Sequence, residues 1–276
     1  MAEHPIEPWL RRFLPARRFV RAQQKTIAGK PVRATGLERT RIRVLSWNVA
    51  KNNYKQSWAE DFAAIVAQYN PDLILLQEVR FEIQAEQALE LAGMHWHFAP
   101  NFIDAHHRAY SGILTAARAQ TLATESIVTE HFEPIARTPK ISLATTHAIN
   151  DTQQALLTIN CHLINFSNLS KFKAQLASLQ TIIQSHRGPV ILSGDFNTWS
   201  RSRAACLERF CRQFNLHSAA FSSVERQKIK RFLNSPPLDY IFASGLRENS
   251  AATVLDAVTS SDHKPLLASF RLAEAL

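Results

Sequence analysis

A four-layered α/β sandwich, with two mixed β-sheets packed face to face and helices outside, is predicted by three features of this 276-residue chain. From residue 41 onward, short apolar strand-like runs alternate with stretches of helical spacing. Several of these runs end on a polar group with chemical use. And the order strand, Asn48, helix, strand, Glu78 is echoed, without alignable sequence, by strand, His162, helix, strand, Asp195. Two similar mixed halves pack as two sheets with helices on the outer faces. With 7 glycines and no low-complexity linker, the chain reads as one domain over 41–276 behind a basic extension over 1–40.

The extension carries nine basic residues, among them Arg11, Arg12, Arg17, Arg18 and Arg21, against Glu3, Glu7 and Glu38, with Trp9, Leu10, Phe13, Leu14 and Phe19 interspersed. It reads either as an arm that touches a polyanion or as a segment packed on the domain by its aromatics and solvated by its arginines. Charge runs are usually solvated, which favours the second. Residues 41–49 read as a strand. Residues 57–69 place Trp58, Phe62, Ile65 and Val66 on one helical stripe. The unbroken apolar run 72–77 is a strand buried on both faces, and 81–91 reads as a helix. Strands follow near 95–99, 112–117, 122–129, 141–148 and 155–162. Residues 170–185 form an amphipathic helix capped by Ser170. A buried strand at 189–193 and a helix over 202–214, with Ala205, Leu207, Phe210, Cys211 and Phe214 inward, precede closing strands at 238–243, 253–256 and 266–271.

Composition narrows the class. A hydrophobic fraction of 46% supports a sizeable core, and 32 basic against 23 acidic residues leave a net charge of +9. That balance suits polyanionic partners such as nucleic acid, acidic lipid or phosphorylated small molecules, or simply a soluble basic protein. The 3 cysteines are odd in number and lack zinc or redox spacing, so free thiols in a reducing compartment are expected. No apolar run is long enough to span a membrane, and without an apolar stretch before a small-residue cleavage site no secretory signal is expected. The expectation is a cytoplasmic protein without a transmembrane segment.

Polar groups at strand ends build one site at the rim of a sheet. They are Asn48 after Val-Leu-Ser-Trp, Glu78 after Leu-Ile-Leu-Leu-Gln, His162 after Thr-Ile-Asn-Cys, and Asp195 with Asn197 after Val-Ile-Leu-Ser-Gly. Asp239 lies in Leu-Asp-Tyr-Ile-Phe, and Asp262 and His263 in Ser-Ser-Asp-His-Lys-Pro. In this order the pieces Ser46-Trp47-Asn48-Val49, Leu76-Gln77-Glu78, Tyr110-Ser111-Gly112, Cys161-His162-Leu163, Gly194-Asp195-Phe196-Asn197, Leu238-Asp239-Tyr240 and Ser261-Asp262-His263 resemble the endonuclease/exonuclease/phosphatase superfamily. That group includes AP endonucleases, DNase I-like nucleases, neutral sphingomyelinases, inositol polyphosphate 5-phosphatases and deadenylases. The resemblance covers about residues 41–271 and is strongest to a bacterial YafD-like branch.

The resemblance implies a DNase I-like fold, a monomer and metal-dependent hydrolysis of a phosphate ester. Glu78 is then the principal ligand of Mg²⁺ (or Mn²⁺), a hard cation suited to oxygen donors. Asp262 is the second, often water-mediated, ligand, and Asn48 supports the metal shell and the scissile phosphate. Asp195 and Asn197 orient the attacking water and hold a phosphate oxygen. Asp239 orients His263, which acts as base or electrostatic group, and His162 contacts phosphate or acts as acid. Two departures point away from an abasic-site enzyme: His162 stands where those enzymes carry tyrosine, and Ala50 stands where they carry an acid. The second favours one metal over two. Tyr110-Ser-Gly112 either lines the cleft or packs in the core. The basic residues Arg201, Arg203, Arg209 and Arg212, then Arg226, Lys228, Lys230 and Arg231, with Lys171 and Lys173, favour a nuclease on DNA or RNA. The alternative is a phosphatase or phosphodiesterase acting on a phospholipid, phosphoinositide or small phosphate ester; apolar loop tips, with Phe102-Ile103 and Phe166 as candidates, would favour a lipid. A non-catalytic module should have lost at least one of the eight residues.

Overall fold

Strands that are apolar on both faces occupy the centre of the molecule, and this places the helices. The computed structural model describes residues 18–23, 26–85, 89–134 and 137–273. In chain order the strands are β1 (Phe19–Arg21), β2 (Ile27–Ala28), β3 (Gly36–Leu37), β4 (Ile42–Asn48), β5 (Leu73–Glu82), β6 (His95–Asp104), β7 (Ala109–Ala117) and β8 (Ala123–Phe132). They continue as β9 (Pro139–Ile149), β10 (Ala155–His162), β11 (Val190–Asp195), β12 (His217–Ser218), β13 (Asp239–Ser244), β14 (Leu246–Val254) and β15 (Leu266–Leu272). The α-helices are α1 (Gln56–Tyr69), α2 (Leu169–Ser185), α3 (Arg201–Gln213) and α4 (Ser223–Lys228).

One sheet has the order β1-β6-β7-β5-β4-β15-β14, with β2 also on β6; the other runs β12-β13-β11-β10-β9-β3, with β8 also on β9. The two halves echo each other in space: β4 pairs with β5 in parallel across α1, and β10 with β11 in parallel across α2. Period-two side chains then sort into layers. Val44, Leu73 and Leu75 meet Ile191 and Ile241 between the sheets. Leu45, Trp47, Ile74 and Leu76 pack outward on Trp58, Phe62 and Ile65 of α1. Leu157, Ile159 and Leu192 pack on Phe172, Leu176 and Leu179 of α2 and on Leu207 and Phe210 of α3. The layers are therefore helix, sheet, sheet, helix, as the sequence predicts. Burying one such leucine stabilises the fold by about 1.5–3 kcal/mol.

A polar stitch crosses the dry interface near one end. Gln77 Nε2 donates to Asn160 Oδ1 at 2.7 Å, and Asn160 Nδ2 donates to the carbonyls of Leu76 and Leu114. These bonds fix one sheet against the other, while Gln77 Oε1 is left buried without a hydrogen-bond partner.

Several expectations are corrected. Residues 81–91 do not open as a helix: β5 continues to Glu82, because a bulge between Leu76 and Val79 resets its register against β7. Ser170 is not the cap of α2; Asn168 is, accepting from Lys171 N at 3.1 Å. The strand expected at 253–256 begins at Leu246, a polar edge strand that apolar alternation does not mark. Residues 19–21, 27–28 and 36–37 of the basic extension add short strands to the two sheets. Arg11, Arg12, Arg17 and the aromatics before them lie outside the described residues. On α3, Ala205 is exposed and Arg203 is buried, so Arg203 is not a groove residue. Phe102-Ile103 is no loop tip but part of β6, with Phe102 buried.

Candidate active site

Strand register gathers the acids and imidazoles. In the second sheet, His162 pairs with Asp195, and Asp195 pairs with Asp239, so three adjacent strands present them in one row. Gly194 makes this row possible. Its φ is +136°, and a Cβ there would stand 2.0 Å from the Cys161 carbonyl oxygen. Glycine alone tolerates both. In the first sheet Asn48 ends β4 beside Gln77, and the β5 bulge delivers Glu78 at φ 53°. Bulges and left-handed residues of this kind re-aim side chains at functional sites.

A second set of contacts ties the loop 260–263 to β4. Ser261 Oγ donates to Asn48 O at 2.7 Å, Asn52 Nδ2 donates to Ser260 O, and Trp47 Nε1 donates to His263 O at 2.9 Å. Trp47 is itself held in a stack with Trp58 and Phe62. The helix core therefore positions the His263 backbone.

The side chains converge on Asp195. Its Oδ1 accepts from Asn197 N at 2.9 Å and its Oδ2 from Asn48 Nδ2 at 3.0 Å. His162 Nε2 stands 3.7 Å and His263 Nε2 4.0 Å from Oδ2, both beyond hydrogen-bond length. His263 Nδ1 bonds Asp239 Oδ2 at 2.8 Å. Burial, with the Asp239 charge adding, pushes the Asp195 carboxyl up to about 7. Burial would lower His263, but Asp239 outweighs it, so this imidazole is held protonated. Burial and the nearby Lys140 keep His162 neutral. The two histidines are thus electrostatically distinct.

Glu78 occupies the facing wall. Burial alone would raise its carboxyl, yet the Lys51 and Lys140 charges hold it well below the usual range. Lys51 Nζ lies 2.8 Å from Oε2, while Oε1 stands 3.7 Å from His162 Nε2. Lys140, nearly buried, pairs with Glu133 at 3.2 Å. Asp262 is at the mouth, 61% exposed at its side chain and paired with Lys230 at 3.1 Å.

Of the eight residues named from the sequence, Asn48, Glu78, His162, Asp195, Asn197, Asp262 and His263 border one cleft of about 580 Å³. Asp239 stands behind His263. Ser111 and Gly112 also line the cleft, while Tyr110 packs against the α1-side core. Lys51 and Lys140 also line the cleft without a sequence signal; neither lies in a motif, and only Lys51, three residues past Asn48, has proximity as a clue. Among the described residues, Asp195, Asp239 and His263 form a group with ligand atoms within 4.8 Å of one another. His263, held protonated by Asp239, has no ring lone pair to offer a cation, so this group handles protons better than it holds a metal. Glu78, Asp262 and the Asn48 amide, all bordering the same cleft, carry hard oxygen donors of the type a divalent cation takes.

Residues 45–263 match the Endonuclease/Exonuclease/phosphatase family. An endonuclease/exonuclease/phosphatase from Beutenbergia cavernae DSM 12333 shares the fold at TM-score 0.66 and 17% identity, over 86% of this chain and 73% of that one. The human Nocturnin catalytic domain with bound sulfate anion shares it at 0.61 and 19%, over 91% and 100%. D. rerio TDP2, complexed with single strand DNA product, does so at 0.56 and 18%, over 84% and 99%. At these identities the likeness is one of fold. The family match spans most of the chain and takes in all eight residues named above, and the protein belongs to the endonuclease/exonuclease/phosphatase family.

Proposed function

We propose that the chain, a phosphoesterase by family, hydrolyses phosphodiester bonds with a bound divalent cation, Mg²⁺ or else Mn²⁺, and acts on DNA or RNA. The observation that carries this is the placement of Asp195 Oδ2 between the Nε2 atoms of His162 and His263, at 3.7 and 4.0 Å, with Glu78 facing the same space. Glu78 with Asp262 and Asn48 would hold the cation, which supplies charge neutralisation at the phosphate and the leaving oxygen.

The chain's own groups divide the remaining work. Asp195, with its carboxyl near 7, is matched to take a proton from the attacking water at neutral pH. Asn48 and the Asn197 backbone fix the direction of that carboxylate. His263, charged and braced by Asp239, is a fixed donor toward the developing negative charge on phosphate oxygens. His162, neutral between Glu78 and Asp195, is a second donor on the other side. Lys51 and Lys140 add positive charge beside Glu78.

A second reading, a phospholipid, phosphoinositide or small phosphate ester as substrate, has its own observation. Of the basic flanks, Lys230 borders the cleft, whereas Arg226, Lys228 and Arg231 are bonded within their own segment. A short charged cleft accepts a compact ester as well as a strand. The chain is read as a cytoplasmic monomer, and its three cysteines, free and buried, suit a reducing compartment.

The test is nicking of supercoiled plasmid and cleavage of a labelled single strand in Mg²⁺, beside phosphate release from inositol phosphates and lipids. Nucleic-acid cleavage lost on chelation and in Glu78→Ala supports the first reading. Hydrolysis confined to the small esters or lipids replaces it with the second.

A further inference from the structure

Three loops meet at one lip of the cleft and carry aromatic rings that the chemistry above does not use. Phe166 follows β10, Trp199 precedes α3, and Phe232 follows α4. Phe166 and Phe232 are each 52% exposed, with ring centroids 6.1 Å apart edge to face, and both border the cleft that holds His162 and His263. Leu233 beside them is 84% exposed. Scattered exposed apolar residues need no explanation, but a cluster at the mouth of a catalytic cleft does.

The rings are supported from below. Trp199 lies 6.2 Å from Phe166, and the Arg203 guanidinium packs against both Trp199 and Phe172, at 5.1 and 4.5 Å from their ring centroids. Arg203 and Phe172 are fully buried. A column of Phe172, Arg203, Trp199, Phe166 and Phe232 thus runs from the core beneath α2 to the lip. Rings held in this way lose little freedom when a flat partner stacks on them.

The loops that carry the rings are basic in sequence, while two acids meet them from elsewhere: Asp262 pairs with Lys230, and Glu133 accepts from Asn165 N beside Phe166. From Leu163 to Arg203 the sole acid is Asp195, and from Arg226 to Leu238 there is none. The same segments hold Lys171, Lys173, Arg201, Lys230 and Arg231. A flat apolar surface carried on basic loops, with Lys230 at the cleft and beside a site proposed to cut phosphate esters, suits a nucleotide: the base stacks and Lys230 meets a flanking phosphate.

The geometry points to a stacking site on Phe166 and Phe232 for an unpaired nucleobase next to the scissile phosphate, which makes single-stranded nucleic acid the substrate. This deepens the nuclease reading above and rests on it. A base within a duplex has both faces covered by its neighbours, so only an unpaired base offers one. A membrane is the poorer occupant, because Phe166 and Phe232 line the catalytic cleft itself and the patch has three exposed apolar residues.

The experiment is fluorescence anisotropy of a labelled oligothymidylate and of an abasic strand of the same length, in chelator so that neither is cut. The wild-type chain should bind the thymidylate about tenfold more tightly or better, the range of one stacked base. Phe166→Ala/Phe232→Ala should bind both strands alike, at the wild-type affinity for the abasic one. Phe166→Tyr/Phe232→Tyr should keep the preference. Both positions are half exposed, and thermal melting checks that the variants fold. Equal binding of the two strands by the wild type, no binding, or a preference that survives in the double alanine variant overturns the proposal. So does sedimentation of the wild type, but not the double variant, with phosphatidylglycerol vesicles when the strands are bound alike. Cleavage in Mg²⁺ is scored separately. A base preference without cleavage keeps the stacking site and sinks the nuclease, and cleavage without a base preference does the reverse.

Discussion

Asn48 Nδ2 donates to Asp195 Oδ2 at 3.0 Å, joining the working ends of the two sheets across 147 residues of sequence. The other polar atom of that side chain, Oδ1, accepts from Ala50 N. Ala50 and Lys51 follow with φ of 49° and 58°, and this left-handed pair carries Lys51 to Glu78. One amide therefore sets both the Asp195 carboxylate and the turn that brings Lys51 to Glu78.

Asn48→Ala should accordingly cost on two counts. It leaves a buried carboxylate oxygen and a backbone N–H without their partner, which destabilises by about 1–3 kcal/mol. It also frees Asp195 to rotate, and misplacement on the order of 1 Å costs about 10²-fold in rate. Thermal melting and steady-state hydrolysis measure the two effects. A variant with wild-type turnover would show that the bond positions nothing.

Asp239→Asn tests the brace behind His263. Asp239 raises both His263 and Asp195, so its removal lowers both. Each limb of the pH–rate profile then moves to lower pH. The loss of a positioned acid–base partner should slow the reaction by about 10²–10⁴-fold. Unmoved limbs in a folded variant would place Asp239 outside the site.

Gly194→Ala should fail to fold well. The new methyl would stand 2.0 Å from the Cys161 carbonyl oxygen at a φ that side chains avoid, with the parallel β10–β11 pairing on one side and Asp195 next in sequence. Destabilisation beyond about 4 kcal/mol is expected for such a backbone clash. Soluble yield and denaturant midpoint report it, and a variant melting within a few degrees of wild type would contradict the geometry.

Part of the acid lability should reside outside the cleft. His147 and His97 are buried and held neutral, each lowered from 6.5 to about 4, chiefly by desolvation. The unfolded chain takes up these protons first as pH falls. Their contribution to stability is therefore complete above about 6.5 and is lost toward 4. His147→Gln should flatten the fall of melting temperature across that window; an unchanged slope would assign the lability to other groups.

The sequence carries most of this site because each group ends or begins a buried apolar strand, and such strands announce themselves. Asn48, Glu78, His162 and Asp195 all follow such runs. What stayed hidden has a physical cause in each case. The bulge at Gln77–Glu78 breaks the two-residue period, so the strand beyond it mimics helical spacing. β14 is a polar edge strand, and β1 to β3 are too short for any period to show. Lys51 and Lys140 reach the cleft through backbone geometry and sheet register. Arg203 reads as surface until its two aromatic neighbours, one of them on a different helix, are folded against it.

The central claim is hydrolysis of a phosphodiester by a cation held on Glu78. The most direct measurement is release of p-nitrophenol from bis(p-nitrophenyl) phosphate in Mg²⁺, with chelator, and with Glu78→Gln, alongside calorimetric titration of Mg²⁺ into both proteins. The account predicts turnover that chelation abolishes, at least about 10³-fold less in Glu78→Gln, together with loss of the calorimetric binding signal in that variant. Turnover that survives chelation, or a Glu78→Gln protein that binds Mg²⁺ and turns over like wild type, would contradict it.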